Sequence, residues 1–291
     1  MTTAGRAGVL LRAMRPRHWL KNGFVFAPAV FAGHAFDLPA MVRVASVAFA
    51  FCLISSAGYL LNDVLDRDAD RADPVKKNRP VASGELGPGA ALAWAVLLSV
   101  LSVCLTLPEG WPVTTALLGY AALTTLYSLV LKTVPVIEAM TLAAGFVVRL
   151  AAGALAIQVE ISHWLVICGF LLALLLAFGK RVPEAKHPAA RTPVYPASYL
   201  QDVVNLLAGV TLVAYILYTV SPETVAKVGS RGLLLTVPFV LFGILRYLLL
   251  LHQEGAQDPT AVLVTDRPLL VTVVAWVALA AALLVPHGTA R

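Results

Sequence analysis

Apolar residues form nine stretches long enough to cross a bilayer, separated by short polar segments. A membrane-spanning helix needs about 20 apolar residues, because each residue adds about 1.5 Å and the hydrocarbon core is about 30 Å thick. The pattern predicts an all-α, polytopic membrane protein with about nine transmembrane helices in a single domain over residues 1–291. The predicted spans are 20–37, 43–65, 89–107, 112–131, 136–158, 161–179, 202–220, 231–251 and 269–286.

Lysine and arginine are distributed unevenly between the segments that connect these spans. If the N-terminus is cytoplasmic, that side carries sixteen lysines and arginines and the opposite side carries four. Cytoplasmic segments of membrane proteins are typically rich in positive charge, so we expect a cytoplasmic N-terminus. The loops at 66–88, 132–135, 180–201 and 252–268 then form a polar cap on the cytoplasmic side.

Composition supports a membrane protein and narrows the choice of partners. Apolar residues make up 59% of the 291 residues and charged residues 13%, which excludes a soluble domain. The net charge of +6 is expected to face anionic lipid headgroups and phosphorylated substrates, and no nucleic-acid partner is expected. The three cysteines lie in apolar segments without metal-ligand spacing, so we interpret them as small apolar residues.

An acidic motif begins where the second predicted span ends. On a helix, Asn62, Asp66 and Asp70 recur every fourth residue, and Asp63 lies close to the same face. Four oxygen-bearing side chains on one face repel one another unless a cation binds them, and Mg²⁺ is the hard cation that combines carboxylates with phosphate oxygens. Ionisable groups inside a membrane-length segment are usually functional, which favours a Mg²⁺ site.

The alternative is a solvated helix end whose acids pair with neighbouring basic side chains. The basic residues available for such pairs are Arg67, Arg71 and Lys76.

Basic residues elsewhere in the chain are candidates for binding an anionic substrate. Lys76 and Arg79 follow the acidic motif, where a polyphosphate would need positive charge beyond that of the metal. Arg149 lies inside an apolar span, where a buried arginine requires an anion from the protein or a ligand. The other candidates for substrate binding are Lys21, Asn22, Tyr59, Tyr127, Lys132, Glu138, Lys180, Arg181, Glu184 and Arg246.

Several of these side chains also have a purely structural interpretation. Lys180 and Arg181 are at the end of the sixth predicted span, where basic residues commonly act as interface anchors. Arg246 lies near the cytoplasmic end of its span and could extend to the headgroups. Glu138 precedes Arg149 by three helical turns, which is too far for direct contact.

The acidic motif and the turn that follows it resemble a known pattern. Asn62-Asp63-x-x-Asp66-x-x-x-Asp70, followed by 79–84 (Arg-Pro-Val-Ala-Ser-Gly), is similar to the first aspartate-rich motif of the UbiA superfamily of intramembrane prenyltransferases. The resemblance implies about nine helices around a central cavity and a catalytic domain. It also implies a diphosphate donor bound through Mg²⁺ at the cytoplasmic mouth.

The second motif departs from the ordinary prenyltransferase pattern. Lys180-Arg181-x-x-Glu184 stands where those enzymes have a second aspartate-rich set, which argues against a prenyl diphosphate donor. With 15–22, 145–153 and 244–247, it resembles the decaprenyl-phosphate phosphoribosyltransferase branch. That branch implies phosphoribosyl pyrophosphate (PRPP) as donor and a polyprenyl phosphate as lipid acceptor. Glu138 stands where an aspartate is expected.

The resemblance assigns roles to the candidate residues. Asn62, Asp63, Asp66 and Asp70 would bind Mg²⁺, and Asp63, Asp66, Asp70 and Lys180 would be catalytic. Lys76, Arg79, Lys180 and Arg181 would contact donor phosphates, and Lys21 and Arg149 would meet the lipid phosphate or the ribose.

The resemblance also implies a location and leaves two rivals open. The protein would be a multi-pass protein of the inner (plasma) membrane with a cytoplasmic active site. Its product would lead to lipid-linked arabinose donors for cell-wall synthesis. Whether it forms a homo-oligomer is left open. A prenyltransferase that joins a polyprenyl diphosphate to an aromatic acceptor is one rival. A transporter of an anionic lipid or metabolite is the other, although it leaves the acidic motif unexplained.

Overall fold

A computed structural model describes residues 3–74, 76–185, 193–253, 262 and 265–284, and these residues form helices joined by turns, with no strand. Parts of the predicted loops 66–88, 180–201 and 252–268, and the end of the last predicted span, lie outside the described residues. The α-helices are α1 (Thr3–Met14), α2 (Ala27–Phe31), α3 (Leu38–Leu65), α4 (Arg67–Ala72), α5 (Pro88–Thr106), α6 (Trp111–Leu129), α7 (Ile137–Ala156), α8 (His163–Glu184), α9 (Ala197–Val220), α10 (Pro222–Val228), α11 (Val237–His252) and α12 (Arg267–Leu284).

The helices confirm a polytopic membrane protein but not nine spans. Within the described residues, seven helical segments are long and apolar enough to cross a membrane, and they contain α3, α5, α7, α8, α9, α11 and α12. Helix α6, which matches the predicted span 112–131, has 19 residues but is not among the seven. The count of about nine spans is therefore not confirmed.

The first predicted span, 20–37, is not a continuous helix. A 3₁₀ helix covers Pro16–Phe26, and α2 adds only five residues before a turn at Gly33 with φ of 85°. The 3₁₀ geometry and Pro28 interrupt the regular α-helical hydrogen bonds. The segment instead packs inside the helical bundle, with Val25 fully buried.

Helix α3 lies at the centre of one half of the bundle. Its buried residues Val47 and Phe51 pack in one cluster with Leu117 of α6 and Ala152 of α7. A second cluster joins α7 and α8 to α9 and α11. Because α7 belongs to both clusters, it connects the two halves and brings their polar residues to one cavity.

Helix α7 approaches the 3₁₀ segment closely because it has a glycine at the contact. A Cβ atom on Gly153 would lie 2.0 Å from the backbone oxygen of Val25. Helix contacts in membranes commonly use small residues in this way, since they let backbones meet. The 3₁₀ helix Pro16–Phe26 is therefore packed closely against α7.

We predict that Gly153→Ala destabilises the bundle by about 1–3 kcal/mol, since the added methyl group overlaps a backbone atom that cannot rotate away. Thermal unfolding in detergent measures the change. Gly209→Ala is the control, because a Cβ at Gly209 meets no atom within 4 Å. Equal melting temperatures for the two variants would contradict the packing described.

Candidate active site

A cavity of about 1000 Å³ runs through the bundle and collects most of the predicted site residues. One end has a charged mouth and the opposite end is aromatic, with Trp164 and Trp276 in the wall. The predicted residues that line it are Lys21, Tyr59, Asn62, Asp66, Lys76, Arg79, Tyr127, Lys132, Arg149, Lys180, Arg181 and Glu184. The other candidates, Asn22, Asp63, Asp70, Glu138 and Arg246, do not line it.

The acidic motif does not lie on one continuous helix. Helix α3 ends at Leu65, and Asp66 caps it with φ of −98° and ψ of 9° before α4 begins at Arg67. The backbone N–H of Asp66 still donates to the oxygen of Asn62 at 2.9 Å. The expectation of a single helical face is therefore wrong for Asp70, which α4 carries.

Asp63 and Asp70 form one acidic pair that two arginines hold. Arg79 donates to Asp70 Oδ2 at 2.7 Å and to Asp63 Oδ1 at 3.4 Å, and Arg15 also pairs with Asp63 Oδ1. Both carboxylates are buried, so the arginines compensate charges that would otherwise be costly. The second oxygen of Asp63, Oδ2, is buried and has no hydrogen-bond partner among the residues that the structure describes.

Asn62 and Asp66 form a second set, and a lysine ammonium lies against it. Lys132 Nζ is 2.7 Å from each carboxylate oxygen of Asp66 and 3.4 Å from Asn62 Oδ1. Lys132 is itself buried. The Lys132 ammonium therefore lies where the sequence predicts a metal ion. In this contact Lys132 pairs with a carboxylate of the protein, whereas the sequence predicts that it binds substrate.

The chemistry of these oxygens fits Mg²⁺, although their arrangement is not a closed cluster. Mg²⁺ needs only one or two carboxylates when waters and phosphate oxygens complete its shell. Asp66 lines the cavity, and Asp63 has a buried oxygen that makes no hydrogen bond within the described part of the chain. Over the described ranges, no group of three or more His, Cys, Asp and Glu residues is arranged to hold a metal.

Arg181 joins two carboxylates at the ends of α7 and α8. Its Nε donates to Glu138 Oε1 at 2.9 Å, and it also pairs with Glu184. Tyr195 donates to the same Glu138 oxygen at 3.3 Å and accepts from the N–H of Val136 at 2.7 Å. Burial raises the pKa of Tyr195, so its hydroxyl stays protonated and able to donate.

The remaining cations near the mouth are held more loosely or lie elsewhere. Lys180 Nζ is 3.8 Å from Glu184, and Lys76 Nζ is 3.8 Å from Asp73. Arg246 pairs with Asp266 at 2.7 Å, and neither of these residues lines the cavity. The hydrogen bond from Arg246 lowers the pKa of Asp266, whose carboxylate also accepts from the N–H of Leu269 at the start of α12.

Comparison with known proteins decides the family. The model of the UbiA prenyltransferase family matches residues 23–274. This chain belongs to the UbiA prenyltransferase family. It is therefore an integral membrane protein, in agreement with its apolar helices.

Two relatives refine the position of this UbiA chain. It is 32% identical to "Decaprenyl-phosphate phosphoribosyltransferase" of Mycolicibacterium smegmatis, over 92% of this chain and 90% of the relative. It is 31% identical to the Corynebacterium glutamicum protein of the same name, over 92% and 84% of the two chains.

A solved structure confirms the UbiA fold. A UbiA homologue from Archaeoglobus fulgidus, bound to GPP and Mg²⁺, superposes with a TM-score of 0.72 over 95% of this chain and 99% of that one. The two sequences are 19% identical, so the likeness shows the fold alone.

Sequence reasoning on this UbiA chain missed two residues of the site. The sequence prediction gave Arg15 no role of its own, yet Arg15 pairs with Asp63 and lines the cavity. Tyr120 lies in an apolar span and contacts Arg149 through its hydroxyl at 2.6 Å. The signal for Arg15 was its place in the run 15–22 that carried the resemblance, whereas nothing in the local sequence marked Tyr120.

We predict that Glu138→Gln lowers the free energy of unfolding by about 3 kcal/mol, because it leaves the buried Arg181 with one carboxylate instead of two. Thermal or denaturant unfolding in detergent measures this. Glu85→Gln is the control, since Glu85 pairs with Arg12 at an exposed position and should change stability by about 0–1 kcal/mol. A loss for Glu138→Gln no larger than the control's would show that the buried pair is not needed.

Proposed function

We propose that this protein transfers the 5-phosphoribosyl group of PRPP to a polyprenyl phosphate, decaprenyl phosphate in the named relatives, and releases pyrophosphate. The observation that carries the proposal is the 32% identity to a decaprenyl-phosphate phosphoribosyltransferase over about nine-tenths of both chains. Family membership makes the chain a transferase. This transfer is a step towards lipid-linked arabinose donors for cell-wall synthesis.

The mouth of the cavity suits a donor with several phosphates. Lys76, Arg79 and Lys180 line it together with the acidic motif. PRPP carries a 5-phosphate that a prenyl diphosphate lacks, and Lys180 supplies a cation at the sixth predicted span for that charge. Arg181 was expected to contact a donor phosphate. We assign it a structural role instead, because it pairs with Glu138 and Glu184 at the cavity wall.

The reaction needs charge stabilisation more than proton transfer. The bond between C1 of the ribose and the pyrophosphate oxygen breaks, and a bond forms between C1 and an oxygen of the acceptor phosphate. The electron pair of the broken bond leaves with pyrophosphate, and the acceptor phosphate is already anionic at neutral pH. The chain therefore works by positioning the two anions and stabilising charge on the leaving group.

Mg²⁺ bound by Asn62, Asp63, Asp66 and Asp70 would supply positive charge to the leaving pyrophosphate. Asp63, Asp66, Asp70 and Lys180 remain the proposed catalytic residues. For the metal to bind, Lys132 must move from Asp66, where its ammonium now compensates the carboxylate. Lys132 is then free to contact a donor phosphate, and Tyr59 and Tyr127 complete the wall beside it.

The proposed location follows from the charge distribution along the chain. The excess of lysine and arginine in the loops supports a cytoplasmic N-terminus and a cytoplasmic mouth in the inner membrane. PRPP then enters from the cytoplasm, and the polyprenyl phosphate enters from the bilayer. Three of the segments predicted to form the cytoplasmic cap contribute residues to the cavity lining, namely Lys76, Lys132 and Lys180.

Product analysis tests the reaction against its rivals. Purified protein in detergent is incubated with Mg²⁺, PRPP and decaprenyl phosphate, and lipids are analysed by mass spectrometry. We expect decaprenylphosphoryl-5-phosphoribose and one pyrophosphate for each lipid product. A product from GPP and 4-hydroxybenzoate instead would identify a conventional prenyltransferase, and lipid flux in vesicles without any covalent product would identify a transporter.

We predict that Asp66→Asn lowers turnover on the order of a hundredfold, because it removes a carboxylate from the proposed metal site. The rate of pyrophosphate release at saturating PRPP measures the loss. Asp68→Asn is a matched control on the same segment, since the side chain of Asp68 is 93% exposed and does not line the cavity. Equal rates for both variants would remove Asp66 from the mechanism.

A further inference from the structure

Arg149 differs from the cations at the mouth because, among the described residues, no carboxylate pairs with it. Arg79, Lys132 and Arg181 each contact an acidic side chain. Arg149 is 5% exposed and lines the cavity, and its hydrogen bonds within the described part of the chain go to neutral groups alone. Of the two sources of an anion expected for Arg149, the protein and a ligand, the described residues supply none, so a buried positive charge is left facing the cavity.

The guanidinium of Arg149 is held in a fixed orientation. Nε donates to Asn22 Oδ1 at 2.7 Å, Nη2 to the Tyr120 hydroxyl at 2.6 Å, and Nη1 to the carbonyl oxygen of Gly145 at 3.0 Å. The rings of Tyr120 and Phe146 lie 4.5 and 5.1 Å from its central carbon. These contacts use three of the five N–H groups that a guanidinium carries, so two remain for an anion.

Further contacts fix the partners of Arg149. Tyr120 also hydrogen-bonds Ser55 at 3.2 Å, and Asn22 donates to the sulfur of Cys52 at 3.2 Å. Both contacts are buried and both lead to α3, the helix that ends in the acidic motif. The orientation of Arg149 is thus set by the same helix that carries the proposed metal ligands.

Arg149 lies deeper in the cavity than the acidic motif. Ser55, which contacts its partner Tyr120, is seven residues before Asn62, or about 10 Å along α3. The neighbouring cavity wall is apolar, with Phe146, Leu150 and Leu165. A ligand with one phosphate followed by a hydrocarbon chain fits this position, whereas a donor that is hydrophilic throughout fits the charged mouth.

We infer that Arg149 binds the phosphate of the lipid acceptor, and that Asn22 and Tyr120 are positioning residues that orient it without cancelling its charge. The inference rests on the proposed function, of which it assigns one substrate to one residue. The acceptor phosphate then lies on the interior side of the ribose, opposite the pyrophosphate at the mouth. No proton or electron is transferred to Arg149.

Asn22→Asp tests the inference directly, because it places a carboxylate of nearly the same shape 2.7 Å from the guanidinium. The variant retains the contact but compensates the charge of Arg149. We expect the KM for decaprenyl phosphate to rise about tenfold or more, with the KM for PRPP changed less than twofold. If Arg149 has a purely structural role, the added ion pair should change neither the KM for decaprenyl phosphate nor the KM for PRPP.

Binding without PRPP separates this inference from the proposed reaction. Decaprenyl phosphate and the uncharged decaprenol are titrated into wild-type and variant protein, and binding is followed by intrinsic tryptophan fluorescence. We expect Asn22→Asp to weaken binding of decaprenyl phosphate about tenfold and to leave decaprenol unchanged. Equal weakening of both ligands would show a packing defect and overturn the inference.

Two further variants complete the experiment. Tyr120→Phe removes one hydrogen bond to Arg149 but keeps its charge and the aromatic contact, so we expect a smaller rise, about threefold, in the same KM. Gln253→Glu adds the same charge at an exposed position outside the cavity and should change neither KM. A rise in the KM for PRPP alone, in Asn22→Asp or in Tyr120→Phe, would assign Arg149 to the donor and contradict the inference.

Discussion

Compensation of buried charge is the constraint on which this structure depends. The buried carboxylate of Asp63 lies near the end of the membrane-length helix α3, and that of Asp70 lies on the short α4 that follows, where an isolated charge would be too costly to keep. Cations from separate segments meet them there: Arg15 before the 3₁₀ segment and Arg79 after α4. Lys132, after α6, does the same for Asp66. These pairs tie distant parts of the sequence to one cavity mouth.

The same constraint explains why the site can bind and release charged ligands. Ion pairs at the mouth exchange partners at little net cost when a metal and a polyphosphate bring charges of both signs together. Lys132 and Arg79 now contact the acids that would bind the metal, and both line the cavity. Arg149, by contrast, keeps its charge uncompensated by acidic side chains of the described residues. At the mouth of the cavity the acidic and basic side chains neutralise one another, whereas deeper in the cavity Arg149 is left to bind a single anion.

Much of this could be predicted from sequence because local patterns determine it. The length and apolar character of α3, α5 and α7 to α9 follow from hydrophobic runs, and the acidic motif and its cations stand out against them. The family resemblance was confirmed by the family model and by relatives at about 32% identity. The residues assigned to the metal and to the two substrates remain proposals.

The differences came from tertiary packing, which a linear pattern does not contain. The predicted span at 20–37 is a 3₁₀ helix with a short α-helix, because its backbone packs against Gly153 instead of facing lipid. The break at Asp66 moves Asp70 to another helix. The partners of Arg149 come from residues 127 and 29 positions away, so its neutral environment could not be recognised from neighbouring residues.

The most direct test of charge compensation at the mouth is a structure of the protein with Mn²⁺ in place of Mg²⁺ and with PRPP bound, in which anomalous scattering locates the metal. The account predicts a metal peak at the oxygens of the acidic motif, Asn62, Asp63, Asp66 and Asp70, with the Lys132 ammonium moved from Asp66 onto a donor phosphate. A metal bound elsewhere, with Lys132 still paired to Asp66, would contradict it.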